Sequence, residues 1–252
     1  MTDFGASAMT FLCTFGAAMI ATAVRSLLPP PHMSKETQDV VRLGMGLVAT
    51  MTALLLGLVT ATAKGSFDSQ AAAMRSVATG IVTLDRHLAR YGPEAGPIRE
   101  EVRSVVAARI EAIWPATGPG GGLDSMKGPA PAEKIEDQIL ALAPANDTQR
   151  WLKSQALALC EDVLRTRTTM VGNAAGSVPR PFLLVVIFWL MMTFASFGLY
   201  APRNATVIAV LFVAALSVAA AVFLVLELDD PFTGVIRISS GPMRSALAAL
   251  GH

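Results

Sequence analysis

Gly46, Thr50, Ala53, Gly57 and Thr60 recur at alternating steps of four and three along an apolar stretch, VVRLGMGLVATMTALLLGLVTATAK. That spacing puts small residues along one face of a helix. Their chemistry is weak coordination. With several copies around an axis, hydroxyls and backbone groups could line a narrow pathway. The same stripe would equally let a second membrane helix approach closely, and spacing leaves both readings open. A second set, Glu227, Asp229 and Asp230, ends another apolar run. Acids there can cap a span at the interface, pair with Arg237, or hold a cation.

The elements that would position these residues are membrane helices. Of the 252 residues, 53% are hydrophobic and 15% charged, and the mean hydropathy is +0.52, too apolar for a soluble domain. The formal net charge of +1 gives no reason to expect a nucleic-acid partner. Cys13 and Cys160 form no CxxC or Cys/His grouping, so neither a disulfide framework nor a zinc site is indicated, and Cys160 reads as a small buried apolar residue. His32, His87 and His252 are far apart and sit in no nucleophile or metal motif. An enzyme, a metal and a cofactor are therefore not expected. His87, beside Asp85 and Arg86 in IVTLDRHLARY, reads as part of a solvated helix face.

The expected fold class is an all-α integral membrane protein. It has four transmembrane helices, with a soluble helical domain inserted between spans two and three and span two continuing as a long helix into it. Residues 6–64 carry spans one and two, 65–178 the helical domain, 179–228 spans three and four, and 229–252 a C-terminal tail. The first span, about Ala6 to Leu28, carries a small and polar stripe (Ser7, Thr10, Thr14, Ala17, Ala21) suited to packing on the second, with Arg25 reaching the interface. Pro29, Pro30 and Pro31 end it. From Val40 to Tyr91 no helix breaker intervenes, which predicts one helix about 75 Å long. Beyond the membrane its seam continues through Phe67, Ala71, Met74, Ala78, Ile81 and Leu88.

Gly92-Pro93 makes a turn, and Ile98, Val102, Val105, Val106, Ile110 and Ile113 mark an amphipathic helix. A Gly/Pro-rich loop near 116–131 follows, open as a partner-binding segment. A short helix comes next, and then a longer one capped by Asn146 or Asp147. The third span is bulky and suited to lipid. The fourth, from about Thr206 to Leu226, has a small-residue centre. A short helix, Pro242 to Leu250, closes the chain.

Several stretches carry a resemblance: LVTATAKGSFDSQ, AIWP, PANDTQRWL, and above all FGLYAPRNATVIAVLFVAALSVAAAVFLVLELDDPFTGVIRISSGPMR. On these the chain resembles the bacterial bestrophin-like domain family, distantly similar to bestrophin anion channels. The resemblance implies a pentamer whose second spans line an anion pore, in a bacterial inner membrane, with a helical cytosolic region. It also likens Asp230-Pro231-Phe232 to the structural Asn-Pro-Phe-Gly turn after the fourth bestrophin span. The acids that bind calcium next to that turn in animal bestrophins have no counterpart in Thr233 to Arg237, so no calcium clasp is implied. Counting Lys and Arg near the membrane puts the helical domain and both termini on the cytoplasmic side. The alternative to a channel is a non-conducting membrane scaffold or accessory protein whose helical domain binds a partner.

Overall fold

The computed structural model describes residues 3–29, 34–115, 131–172 and 180–251, and every regular element among them is helical. The elements are α1 (Asp3–Val24), α2 (Lys35–Tyr91), α3 (Gly96–Ile113), α4 (Pro131–Leu140), α5 (Asp147–Gly172), α6 (Arg180–Tyr200), α7 (Ala205–Asp229) and α8 (Gly241–Ala249). Four of them, α1, α2, α6 and α7, are long and apolar enough to cross a membrane. The expected Gly/Pro loop near 116–131 lies almost wholly outside the described residues.

Local sequence explains the ends of α2. Ser34 accepts the Thr37 amide at 3.2 Å, satisfying one of the donors that a helix start leaves unpaired. No proline occurs from 35 to 91, so 57 residues form one helix, five residues longer at its start than the sequence reading. It stops at Gly92, whose φ of +137° is accessible to glycine and strained for other residues, and Pro93 follows. At α5 the cap is Asn146, whose Oδ1 accepts the Gln149 amide at 2.8 Å.

The chain divides into two compact units, Met1–Ser66 with Ser177–Asp229, and Phe67–Gly176 with Asp230–His252. In the first, α1 packs against α6 and α7. Ala18, Phe194, Leu211 and Ala215 are buried together, and Phe11 and Phe15 meet Phe212 edge-on. This corrects the expectation that the α1 stripe packs on the second span. Ser7, Thr10 and Thr14 are buried, but on the α6 and α7 side of the bundle. Gly198 sets the α1–α6 approach, since a Cβ there would fall 2.1 Å from the Ala18 carbonyl oxygen. Thr22 donates across the same crossing to the Gly198 carbonyl at 3.0 Å. Arg25 donates to the Ala201 carbonyl just past the end of α6.

The second unit has one core. Met74, Ile81, Leu84 and Leu88 of α2 meet Val102, Val106 and Ile110 of α3, Ile135 and Ile139 of α4, and Leu152 and Cys160 of α5; Phe232, Met243 and Ala246 complete it. The stretch around His87 is not a solvated face. Asp85 is 3% exposed, His87 is half-buried, and its ring meets Trp151 edge-on at 5.7 Å. Asp85 sits on the core-facing seam set by Ile81, Leu84 and Leu88. Its charge is met by Arg99 through two bonds, Nε to Oδ1 at 2.7 Å and Nη2 to Oδ2 at 2.9 Å.

Candidate pore-lining face and the turn after the fourth span

All five small residues of the α2 stripe, Gly46, Thr50, Ala53, Gly57 and Thr60, are exposed within the chain. A Cβ built on Gly46 or Gly57 would meet no atom within 4 Å. The stripe is therefore not used to bring helices of this chain together. Thr50 donates its hydroxyl to the Gly46 carbonyl at 2.9 Å, and Thr60 to the Leu56 carbonyl at 2.7 Å. Their outward-facing oxygens thus present lone pairs, and an anion would be met only by turning a hydroxyl off its carbonyl. No ionisable residue lies on the stripe itself.

Beside it runs a ridge of exposed bulk: Leu43, Leu47, Met51, Leu54 and Leu58. At 3.6 residues per turn the two rows sit next to one another on the open side of the helix. Val59 and Ala63 occupy the other side, buried with Val225 of α7. Gly46 also borders an apolar cleft of about 620 Å³ among α2, α6 and α7, with Phe197, Tyr200 and Val210 on its walls and Arg42 beside it.

Glu227, near the end of α7, is 4% exposed, and Asp229 is half-buried. Asp230 is exposed and accepts the Thr233 hydroxyl. Pro231 is buried and its carbonyl accepts the Ile238 amide at 2.8 Å, closing the loop that follows α7. Phe232 is 1% exposed and its ring centroid lies 6.1 Å from that of Trp114. Trp114 Nε1 in turn donates to the Ile238 carbonyl at 3.0 Å. Among the described residues, His, Cys, Asp and Glu form no group of three that could hold a metal ion, Glu227, Asp229 and Asp230 included.

Sequence reasoning missed the Asp85–Arg99 pair and the Trp114–Ile238 bond, and it gave no place to Gln70, which is buried. None had a signal to find. Trp114 and Ile238 are 124 residues apart, and Asp85 and Arg99 lie on different helices. Burial also acts on titrating groups in this unit. The Cys160 thiol is pushed up to about 11, by burial first and by nearby Glu136 second. The hydrogen bonds it donates to Asp85 hold the Arg99 guanidinium above its ordinary value, and burial lifts the Tyr91 phenol.

Four helices able to cross a bilayer, the second running on into a helical domain that returns to the third, define a bestrophin-type membrane protein. The chain belongs to the Bestrophin-like domain family, whose model matches residues 12–243. Its fold is similar to crystal structures of point variants of a bacterial bestrophin homologue from Klebsiella pneumoniae. One has a TM-score of 0.66 at 15% identity, covering 97% of each chain. Another has a TM-score of 0.65 at 15% identity, covering 96% of each. A further crystal structure of a membrane protein has a TM-score of 0.65 at 15% identity, covering 98% of this chain and 99% of that one. No curated protein matches the sequence.

Proposed function

We propose that the chain is one subunit of a homo-oligomeric membrane channel for small anions, with α2 helices around the axis and Gly46, Thr50, Ala53, Gly57 and Thr60 facing the pathway. The observation that carries this reading is the open α2 face. The small stripe and the leucine ridge beside it together leave a wide strip of a membrane helix uncovered by the rest of its own chain. In a ring, the ridge would pack on the neighbouring α2 while the stripe faces the axis. Family membership supports the reading, and the resemblance to bestrophins suggests a ring of five in a bacterial inner membrane. The helical domain and both termini are placed on the cytoplasmic side by the distribution of basic residues.

The test is subunit counting by native mass spectrometry in mild detergent, followed by chloride flux from liposomes. A ring of about five subunits, with flux reduced at least tenfold by Gly57→Leu, is the expected result. A monomer or a closed dimer would remove the central pathway and favour the non-conducting scaffold. Unchanged flux in a well-assembled Gly57→Leu ring would take the stripe off the pore.

A further inference from the structure

The small stripe of α2 has no means of telling an anion from a cation. No ionisable side chain occurs in α2 from 43 to 63, and the hydroxyls of Thr50 and Thr60 are already given to backbone carbonyls. The charge lies further along the same face. Eleven residues make three turns of an α-helix plus about 20°, so positions eleven apart stay nearly in line. Ala53 of the stripe, Lys64, Arg75 and Arg86 follow one another at that interval on one unbroken helix, each about 16.5 Å beyond the last. Lys64, Arg75 and Arg86 are all exposed within the chain. Asp68, one turn beyond Lys64, is the one acid on the row, which leaves a surplus of two positive charges in each subunit. The other acid in this half of α2, Asp85, is buried off the row and spent on Arg99. At the opposite end of the span the same face carries Lys35, Asp39 and Arg42, a smaller surplus.

We propose that Lys64, Arg75 and Arg86 are the charge filter of the pathway: repeated around the axis, they form successive basic rings that gather small inorganic anions such as chloride and hold back cations. The filter works only if the stripe faces the axis, as proposed for the channel. Selectivity then comes from electrostatic focusing beyond the apolar span, and the stripe sets only the width. Rings of long basic side chains in water need no fixed ligand geometry to do this.

The experiment is the reversal potential of the full-length protein in planar lipid bilayers under a potassium chloride gradient. The parent should favour chloride over potassium, and Lys64→Gln, Arg75→Gln and Arg86→Gln together should lower that permeability ratio roughly tenfold. Raising the salt to about 1 M, where the Debye length is about 3 Å, should narrow the gap between the two proteins. The ratio is read from conducting assemblies alone, so a loss in the number of assembled channels does not move it. If the triple variant does not assemble, Arg75→Cys serves. A positively charged methanethiosulfonate should raise its ratio and a negatively charged one lower it, with the parent treated in the same way as reference. Arg150, an exposed base near the start of α5, is the control, and Arg150→Glu should leave the ratio where it was. Potassium preference in the parent, an unchanged ratio in the triple variant, or an equal fall in Arg150→Glu each overturns the proposal while the channel stands. An assembled ring that passes no current overturns the channel itself, and the filter with it.

Discussion

At the scale of single residues, the most exacting position is Asp85. A carboxylate 3% exposed is tolerable only because Arg99 meets both of its oxygens, and removing one member of such a pair strands the other. Asp85→Ala should cost about 3 kcal/mol, read as a fall in the melting temperature of detergent-solubilised protein. Adding Arg99→Leu should recover part of the loss, because no uncompensated charge then stays behind. Single variants whose losses simply add would show that the two side chains are uncoupled. Cys160 makes a separate prediction. With its thiol pushed up to about 11, the native protein should react slowly with maleimide at pH 8, whereas the unfolded chain, with an ordinary thiol near 8.5, should react fast. Between roughly pH 8.5 and 11 the unfolded thiol has lost its proton and the folded one retains it. This residue's contribution is therefore full below that window and declines as pH rises through it. Cys160→Ala should flatten that part of the stability profile.

At the scale of elements, two glycines on membrane helices behave oppositely. Gly198 lies where α6 crosses α1, and any side chain would strike the Ala18 backbone, which has no flexible end to yield. Gly198→Ala should therefore lower stability by about 1–3 kcal/mol, the usual range for overpacking. Gly57 meets nothing within 4 Å, so Gly57→Leu should melt within about 1 °C of the parent in any preparation reduced to single subunits. Melting followed by fluorescence-detected size exclusion distinguishes the two; equal sensitivity would contradict the α1–α6 geometry. The turn after α7 is anchored by side-chain burial. Phe232→Ala empties a site 1% exposed against Trp114 and should cost about 3–5 kcal/mol. Asp230→Asn, altering an exposed group, should leave the subunit folded, and any loss of assembly or flux in that variant would give the turn a role beyond the subunit.

At the scale of the whole molecule, the informative surface is what each unit leaves uncovered. Leu12, Ile20, Leu184 and Val210 are each more than 60% exposed on α1, α6 and α7, as expected of side chains meeting lipid. The exposed face of α2 differs from these in its order, with a row of small residues beside a row of leucines. Lipid alone asks for no such sorting, whereas a ring asks for bulk against the neighbour and small residues toward the axis. Cysteine pairs make this testable in the assembled protein. Leu54→Cys should cross-link between subunits under oxidation, while Thr60→Cys should be labelled by small water-soluble thiol reagents. The reverse pattern would turn the helix, placing the leucines on the axis.

What the sequence determined on its own was everything governed by neighbours along the chain. Four apolar runs of bilayer length, a proline-free stretch from 40 to 91, and punctuation at Gly92 and Asn146 specify the helices to within a turn, because caps and periodicity act over three to seven residues. The Ser34 cap that starts α2 five residues earlier came only with the structure. The alignment of Gly46, Thr50, Ala53, Gly57 and Thr60 was legible for the same reason. That no part of the same chain covers them was not, since an exposed stripe and a packed one read identically. Tertiary structure alone decided that α1 rests on α6 and α7, that Asp85 is a core charge, and that Gln70 is buried. Each of these depends on a partner that folding brings close from a distant part of the chain, 176 residues away for Thr22 and Gly198. Pairings at such range leave no period in the sequence to read.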